Sequence, residues 1–195
     1  MMKTELARLI QRKTALTEEE LASILKCFKW VKVNKHEHLL EQGEVADQLF
    51  FIQKGCLRLY YNTEEFGIVT RFMAFEHTFL TSLVSFIARE PSTEFIEAVE
   101  DSEVLSISHH DFLQLRESIP AWDKIYIYIL EYGLTVITGR LSSILTQNAT
   151  ERYTSLLENN PELIQRLSNA NLASYLNISP ETLSRLKSRI FKQKK

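Results

Sequence analysis

The spacing of apolar residues changes twice along this chain. Near the start, Thr17-Glu18-Glu19-Glu20 reads as a capping box, with Thr17 as N-cap and Glu20 at the third helical position. Leu21, Ile24, Leu25 and Phe28 follow at helical spacing. From Trp30 the period drops to two: Val31 and Val33 alternate with Lys32 and Asn34. Short strands are predicted over 48–53, 56–62, 67–74, 93–98 and 103–108. Turn signals separate them at Gln42-Gly43-Glu44, Lys54-Gly55, Glu76-His77 and Glu90-Pro91-Ser92. Short strands at regular intervals predict a sandwich, roll or barrel.

After His109 the helical period returns. One helix, over 110–117, stops before Pro120, and a long one without internal proline runs over 121–146. Inside it Ile127, Leu130, Leu134, Ile137, Leu141 and Ile144 recur alternately three and four apart. Such a stripe is either one face packed on the strands or a seam between two copies. A spacing near about 3.5 residues, without the drift of about 3.6, favours the seam and hence a homodimer. Gly133 and Gly139 lower helix propensity but permit close backbone approach. Residues 148–160 read as a hinge and a short helix that Asn159-Asn160-Pro161 ends.

The last stretch reads as helix, tight turn, helix. Leu172, Ala173 and Leu176 form the apolar stripe of a supporting helix, Asn177-Ile178 turns, and Ser179 caps a second helix with Pro180 at its first position. Leu183, Leu186 and Ile190 form its core stripe, while Glu181, Arg185 and Arg189 lie along the other face at four-residue intervals. This is the layout of a DNA-reading helix-turn-helix, which presents the first turns of its second helix to base edges. Glutamate accepts from cytosine N4 and arginine grips guanine O6 and N7. Ser179, Glu181, Thr182, Arg185, Arg189 and Lys192 are therefore the expected contacts to double-stranded DNA. An ordinary amphipathic pair with solvated charges is the competing reading.

Charge changes the picture. The whole chain carries a net −2, which alone argues against nucleic acid, yet residues 148–195 hold eight Lys/Arg against four acids. An acidic body with a basic end is expected when one module alone meets phosphates. Two cysteines, Cys27 and Cys56, cannot by themselves fill a four-ligand zinc or iron–sulfur site. No catalytic triad order, metal spacing or glycine-rich phosphate loop stands out, so no enzyme, metal or cofactor is expected. Met1-Met2-Lys3 leads into a polar stretch, and no window has the about 20 apolar residues of a membrane span. The expectation is a cytoplasmic protein without a membrane partner.

With these residues in view, the chain from about 20 to 190 resembles the catabolite-activator and fumarate–nitrate-regulator (CRP/FNR) family of transcription regulators. Leu40-Glu41-Gln42-Gly43-Glu44 is similar to the family's opening Gly-Glu turn, and Leu49 to Arg58, through Lys54-Gly55, to its strand pair. Ile178-Ser179-Pro180-Glu181-Thr182-Leu183-Ser184-Arg185 is similar to the start of its recognition helix. The resemblance implies an α+β chain: an N-terminal antiparallel β-roll of cyclic-nucleotide-binding type with flanking helices (1–119), a long dimerisation helix (120–147) and a C-terminal helix-turn-helix (148–195).

Departures from the family pattern qualify what the roll binds. Family members that bind cAMP hold its phosphate with a Glu and a downstream Arg; a gapless match places Ser82 and Ser92 there. A cyclic phosphate would lose its guanidinium partner and Glu94, if it points inward, would add repulsion, so the roll is expected not to bind cAMP or to bind it weakly. Any pocket for another small-molecule effector is expected among Ser82, Leu83, Ser92, Thr93, Tyr126 and Ile129. A lone turn histidine, His77, is expected to face solvent without holding haem. Pro180 stands where the family often has a base-contacting Arg, which predicts a different operator preference. A cyclic-nucleotide-responsive module acting through protein contacts is the alternative outcome.

Overall fold

The computed structural model describes residues 4–65 and 67–193, with side chains up to Ile190. The chain begins with two short helices, α1 (Thr4–Lys13) and α2 (Glu18–Cys27). The capping box is formed: Thr17 Oγ1 accepts from the Glu20 N–H at 3.2 Å, and Glu20 accepts from the Thr17 N–H at 2.8 Å. The first helix was not predicted, although Leu6 and Ile10 are fully buried on one face of it.

The strands are β1 (Lys29–Val33), β2 (His38–Leu40), β3 (Gln48–Lys54), β4 (Leu57–Thr63), β5 (Gly67–Ala74), β6 (Phe79–Leu80), β7 (Phe95–Ala98) and β8 (Ser102–Ser108). They form two antiparallel sheets, in the orders β1-β8-β3-β6 and β2-β7-β4-β5. Register follows the alternation: Leu59 pairs with Phe72 and Ile96, and Phe51 with Leu105. The inner faces share one core with Phe28, which follows α2, and with Phe112, Trp122 and Ile125 from the helices around them. Gly55 turns β3 into β4 at φ +101°, and a Cβ there would lie 2.8 Å from the Ser102 Cα. Only glycine fits this backbone and this approach.

A helix that sequence reading did not anticipate, α3 (Leu83–Ala88), interrupts the strands. Next come α4 (His109–Ser118) and α5 (Trp122–Thr146). The chain then runs through α6 (Ala149–Asn159), α7 (Pro161–Arg166), α8 (Asn169–Leu176) and α9 (Pro180–Gln193). Asn148 closes a second capping box with Glu151 and so separates α5 from α6. Pro161 ends α6, as expected, but also opens α7, because its fixed φ suits the first helical position.

The last helices do not hang free on a hinge. Cys56, Met73 and Val99 of the roll share a second apolar cluster with Tyr153, Leu167, Leu172 and Leu176. β5 is the edge strand of its sheet, and α8 covers that edge. Ser174 Oγ donates to Ile68 O at 2.9 Å and accepts from the Thr70 N–H at 2.9 Å, while Arg140 donates to Thr70 O at 2.6 Å. Buried Arg58 of β4 reaches Asn171 Oδ1 at 2.9 Å, and Arg166 of α7 pairs with Glu76 at 2.8 Å and with Glu100.

Candidate nucleic-acid interface and the polar cluster of the roll

The candidate interface is built by α8, its turn and α9. α8 ends because Asn177 enters the left-handed region at φ 53°, which asparagine tolerates better than most residues. Ile178 then packs into the cluster beneath. Ser179 starts α9: its Oγ accepts from the Thr182 N–H at 3.2 Å, and its carbonyl accepts from the Leu183 N–H. Leu183 and Leu186 are buried against Leu172, Ala173 and Leu176. That inward stripe turns the opposite edge outward.

On that edge Ser179, Glu181, Arg185 and Arg189 are exposed and Thr182 is half-buried. Arg185 lies over the first turn, within 3.2 Å of Thr182 Oγ1, and Arg189 reaches Thr150 Oγ1 of α6 at 2.7 Å. Hydrogen bonds accepted from its own backbone N–H and from Ser179 hold the Glu181 carboxyl below its ordinary pKa, so it is ionised and acceptor-only at neutral pH. The Lys192 side chain lies outside the described residues. Lys187, which was not among the expected contacts, donates to Asn169 Oδ1 at 2.6 Å and ties α9 to α8.

α5 presents two faces. Trp122, Ile125, Ile129 and Gly133 are buried against the roll. The predicted seam lies largely on the other side: Ile127, Leu134, Leu141 and Ile144 are exposed, Leu134 to 68%. Leu130 and Ile137 are half-buried, and Ile137 also lines a small cavity in the roll.

The residues expected to form an effector pocket divide into separate places. Leu83 and Ile129 line a cavity of only about 30 Å3 with Leu59, Phe72 and Tyr132. Thr93 is exposed in the bend before β7. Tyr126 packs edge-on to Phe112 and beneath the Arg116 guanidinium. Ser82 and Ser92 are buried together in a polar cluster around Glu94. Ser82 Oγ donates to Glu94 Oε2 at 2.7 Å, and Ser92 Oγ lies 3.1 Å from Ser82 Oγ and accepts from the Glu94 N–H at 3.0 Å.

The expectation of repulsion from Glu94 is corrected by its partner. Glu94 does point inward, with 3% of its surface exposed, but Arg71 of β5 meets both of its carboxylate oxygens. Sequence reading missed Arg71 because it is 23 residues from Glu94 along the chain; only strand pairing brings them together. Arg89, the nearer candidate, faces away onto Ala46 O and Asp47. Ser82 precedes α3 without capping it, since its hydroxyl is committed to Glu94. His77 is exposed in its turn, and among the described residues no group of three or more His, Cys, Asp or Glu is arranged to hold a metal.

Residues 30–118 match the cyclic nucleotide-binding domain family. The sequence matches no curated protein. Solved structures, in contrast, resemble nearly the whole chain. CLP of Xanthomonas campestris, described as a c-di-GMP-responsive global regulator, superposes with a TM-score of 0.73 at 17% identity, over 91% of this chain and 93% of its own. The chain has the CRP/FNR fold. FixK2 of Bradyrhizobium japonicum shares it at a TM-score of 0.74 and 17% identity, over 85% of both chains. CooA of Carboxydothermus hydrogenoformans, a double mutant, does so at 0.70 and 18%, over 93% of this chain and 88% of its own. Within this fold the roll is the cyclic nucleotide-binding-type domain. Among the described residues no helix is long and apolar enough to cross a membrane.

Proposed function

We propose that this protein is a homodimeric, sequence-specific DNA-binding transcription regulator whose roll does not respond to cAMP. In this reading residues 148–195 carry the helix-turn-helix, 120–147 the dimer helix and 1–119 the roll. The observation that carries it is the outward edge of α9. Ser179, Glu181, Arg185 and Arg189 line the side opposite buried Leu183 and Leu186, on a helix whose start is pinned by a serine cap. The exposed seam of α5 supports pairing, since a row of large apolar side chains in water favours a second copy. Two α9 helices held about 34 Å apart enter successive major grooves on one side of a duplex.

The roll's cluster supports the second half of the reading. A carboxylate already occupies the polar site beside Ser82 and Ser92, and the adjoining cavity of about 30 Å3 is far below the about 300 Å3 that small-molecule pockets need. Millimolar cAMP is expected to leave the melting temperature unchanged; a concentration-dependent rise would contradict this.

Selection of bound duplexes from a random pool, followed by titration of the recovered site and of random DNA, tests the DNA reading. Arg185→Ala is expected to lose about 1–3 kcal/mol of discrimination at one base pair. Lys192→Ala is expected to weaken binding to both duplexes alike and to flatten the salt dependence. Failure to enrich any sequence, or identical behaviour of the two variants, would refute the assignment of the reading edge.

A further inference from the structure

Most arginines of the body meet a carboxylate: Arg8, Arg58, Arg71, Arg89, Arg116 and Arg166 are all ion-paired. Arg140 of α5 and Arg152 of α6 are not paired with any carboxylate among the described residues, and both are half-buried. They line the same cleft of about 180 Å3, with Ser143 from α5, Ser155 and Asn159 from α6, and Tyr175 from α8. No acidic side chain is among its lining residues.

Each guanidinium is oriented but not neutralised. Arg140 stacks on the Tyr175 ring at 4.5 Å and gives one N–H to Thr70 O. Arg152 gives two, to Leu176 O at 3.1 Å and Gln147 O at 2.6 Å. A guanidinium has five N–H donors, so each keeps several for a ligand. Burial, with the charges of Arg152 and Arg71 nearby, lowers the Arg140 pKa below its ordinary value. Two like charges facing one cleft repel, and a bound anion removes that cost while accepting the spare donors.

We propose that this cleft is a binding site for a small phosphate-bearing anion, held between the Arg140 and Arg152 guanidinium groups, and that its occupancy locks α6 and α8 against α5. Planar N–H forks suit phosphate oxygens, and the Ser155 hydroxyl adds a neutral donor at the rim, where Ser143 Oγ is bonded to Gln147 and Asn159 Nδ2 to Ser155. The cleft is too small for a nucleotide-sized ligand, which needs about 300 Å3 or more. The site spans the junction between the α5 seam and the helices that carry the reading edge. Its effect on DNA rests on the DNA reading above; the binding itself does not.

The test uses the full chain and inorganic phosphate, against chloride at equal ionic strength. The melting temperature is expected to rise saturably with phosphate in the parent and in Arg12→Gln, an exposed arginine on α1. The rise is expected to disappear in Arg152→Gln and in Ser155→Asp, which places a carboxylate one turn beyond Arg152 on the face lining the cleft. Ser155→Asp guards against a folding artefact, because it adds the missing anion and should melt no lower than the parent. Equal rises in every variant indicate general stabilisation of the folded state by phosphate excluded from its surface and overturn the site, as does no rise at all. In the DNA arm, saturating phosphate is expected to change affinity about five-fold or more in the parent and not in Ser155→Asp. If instead phosphate leaves the melting temperature alone and Arg152→Gln flattens the salt dependence of DNA binding, the arginine grips the duplex backbone and the small-anion site is wrong. A saturable, variant-sensitive rise in a parent that binds no DNA supports the cleft and overturns the helix-turn-helix reading.

Discussion

Single residues here answer to neighbours that are distant in sequence. Gly55 is glycine because its φ is +101° and because Ser102 leaves no room for a Cβ. Gly55→Ala is expected to lower stability by more than about 1 kcal/mol, read as a lower melting temperature, since both the backbone and the Ser102 Cα would have to move. Glu94 makes the same point about charge. A buried carboxylate near two serines looks repulsive to any incoming anion until Arg71 is placed beside it. Glu94→Ala is expected to cost about 3–5 kcal/mol, because Arg71 keeps its charge and loses its partner; unchanged denaturant midpoints would show that water replaces the pair. The lysine–glycine pair at 54–55 was legible as a turn, whereas the Arg71–Glu94 pair was not, since nothing local marks two residues on different strands as partners.

Among elements, α5 shows what periodicity can and cannot say. The recurring Ile127, Leu134 and Leu141 stripe predicts a seam, and these side chains are exposed, while a different stripe of Trp122, Ile125 and Ile129 meets the roll. The helix therefore has two apolar faces, and choosing between seam and core was never an exclusive choice. Leu134→Asp is expected to convert a dimer into a monomer in sedimentation while leaving the fold intact, because Leu134 is 68% exposed and its loss opens no cavity. A variant that sediments like the parent would remove the seam from the dimer contact. Missed elements were missed for local reasons. β2 and β6 are three and two residues long, too short to show a period. α3 has six residues and starts without a side-chain cap. α7 begins at the proline that ended α6.

For the molecule as a whole, the decisive feature is how the last helices dock. Edge strand β5 would otherwise present open backbone groups, and Ser174 and Arg140 take the Ile68 and Thr70 groups on that edge. Two carboxylates hold the same junction. Burial pushes the Glu97 carboxyl up, but hydrogen bonds from His36 and Arg58, with the Arg58 charge, bring it below its ordinary value. Glu76 is likewise raised by burial but lowered further by Arg166 and the Gly55 N–H. A lowered folded pKa means the stabilisation is complete above the unfolded value of about 4.3 and is lost as pH falls through the folded one. Denaturant midpoints are therefore expected to hold from neutral pH down to about 5 and then to fall. Glu97→Gln and Glu76→Gln should start lower at neutral pH and lose less on acidification. Parallel curves for parent and variants would show that these pairs do not carry the docking.

By itself the sequence determined what local physics can write: the capped starts at Thr17 and Ser179, the alternation of the roll, the α5 stripe and the outward polar edge of α9. Each depends on residues within a few positions of one another, where period, cap and turn chemistry act directly. Tertiary structure alone decided that Arg71 neutralises Glu94, that α8 closes the β5 edge, and that Arg140 and Arg152 face one cleft without a carboxylate. Those outcomes depend on which strands and helices come to lie side by side, a choice made by burial of the whole core and marked at no single position along the chain.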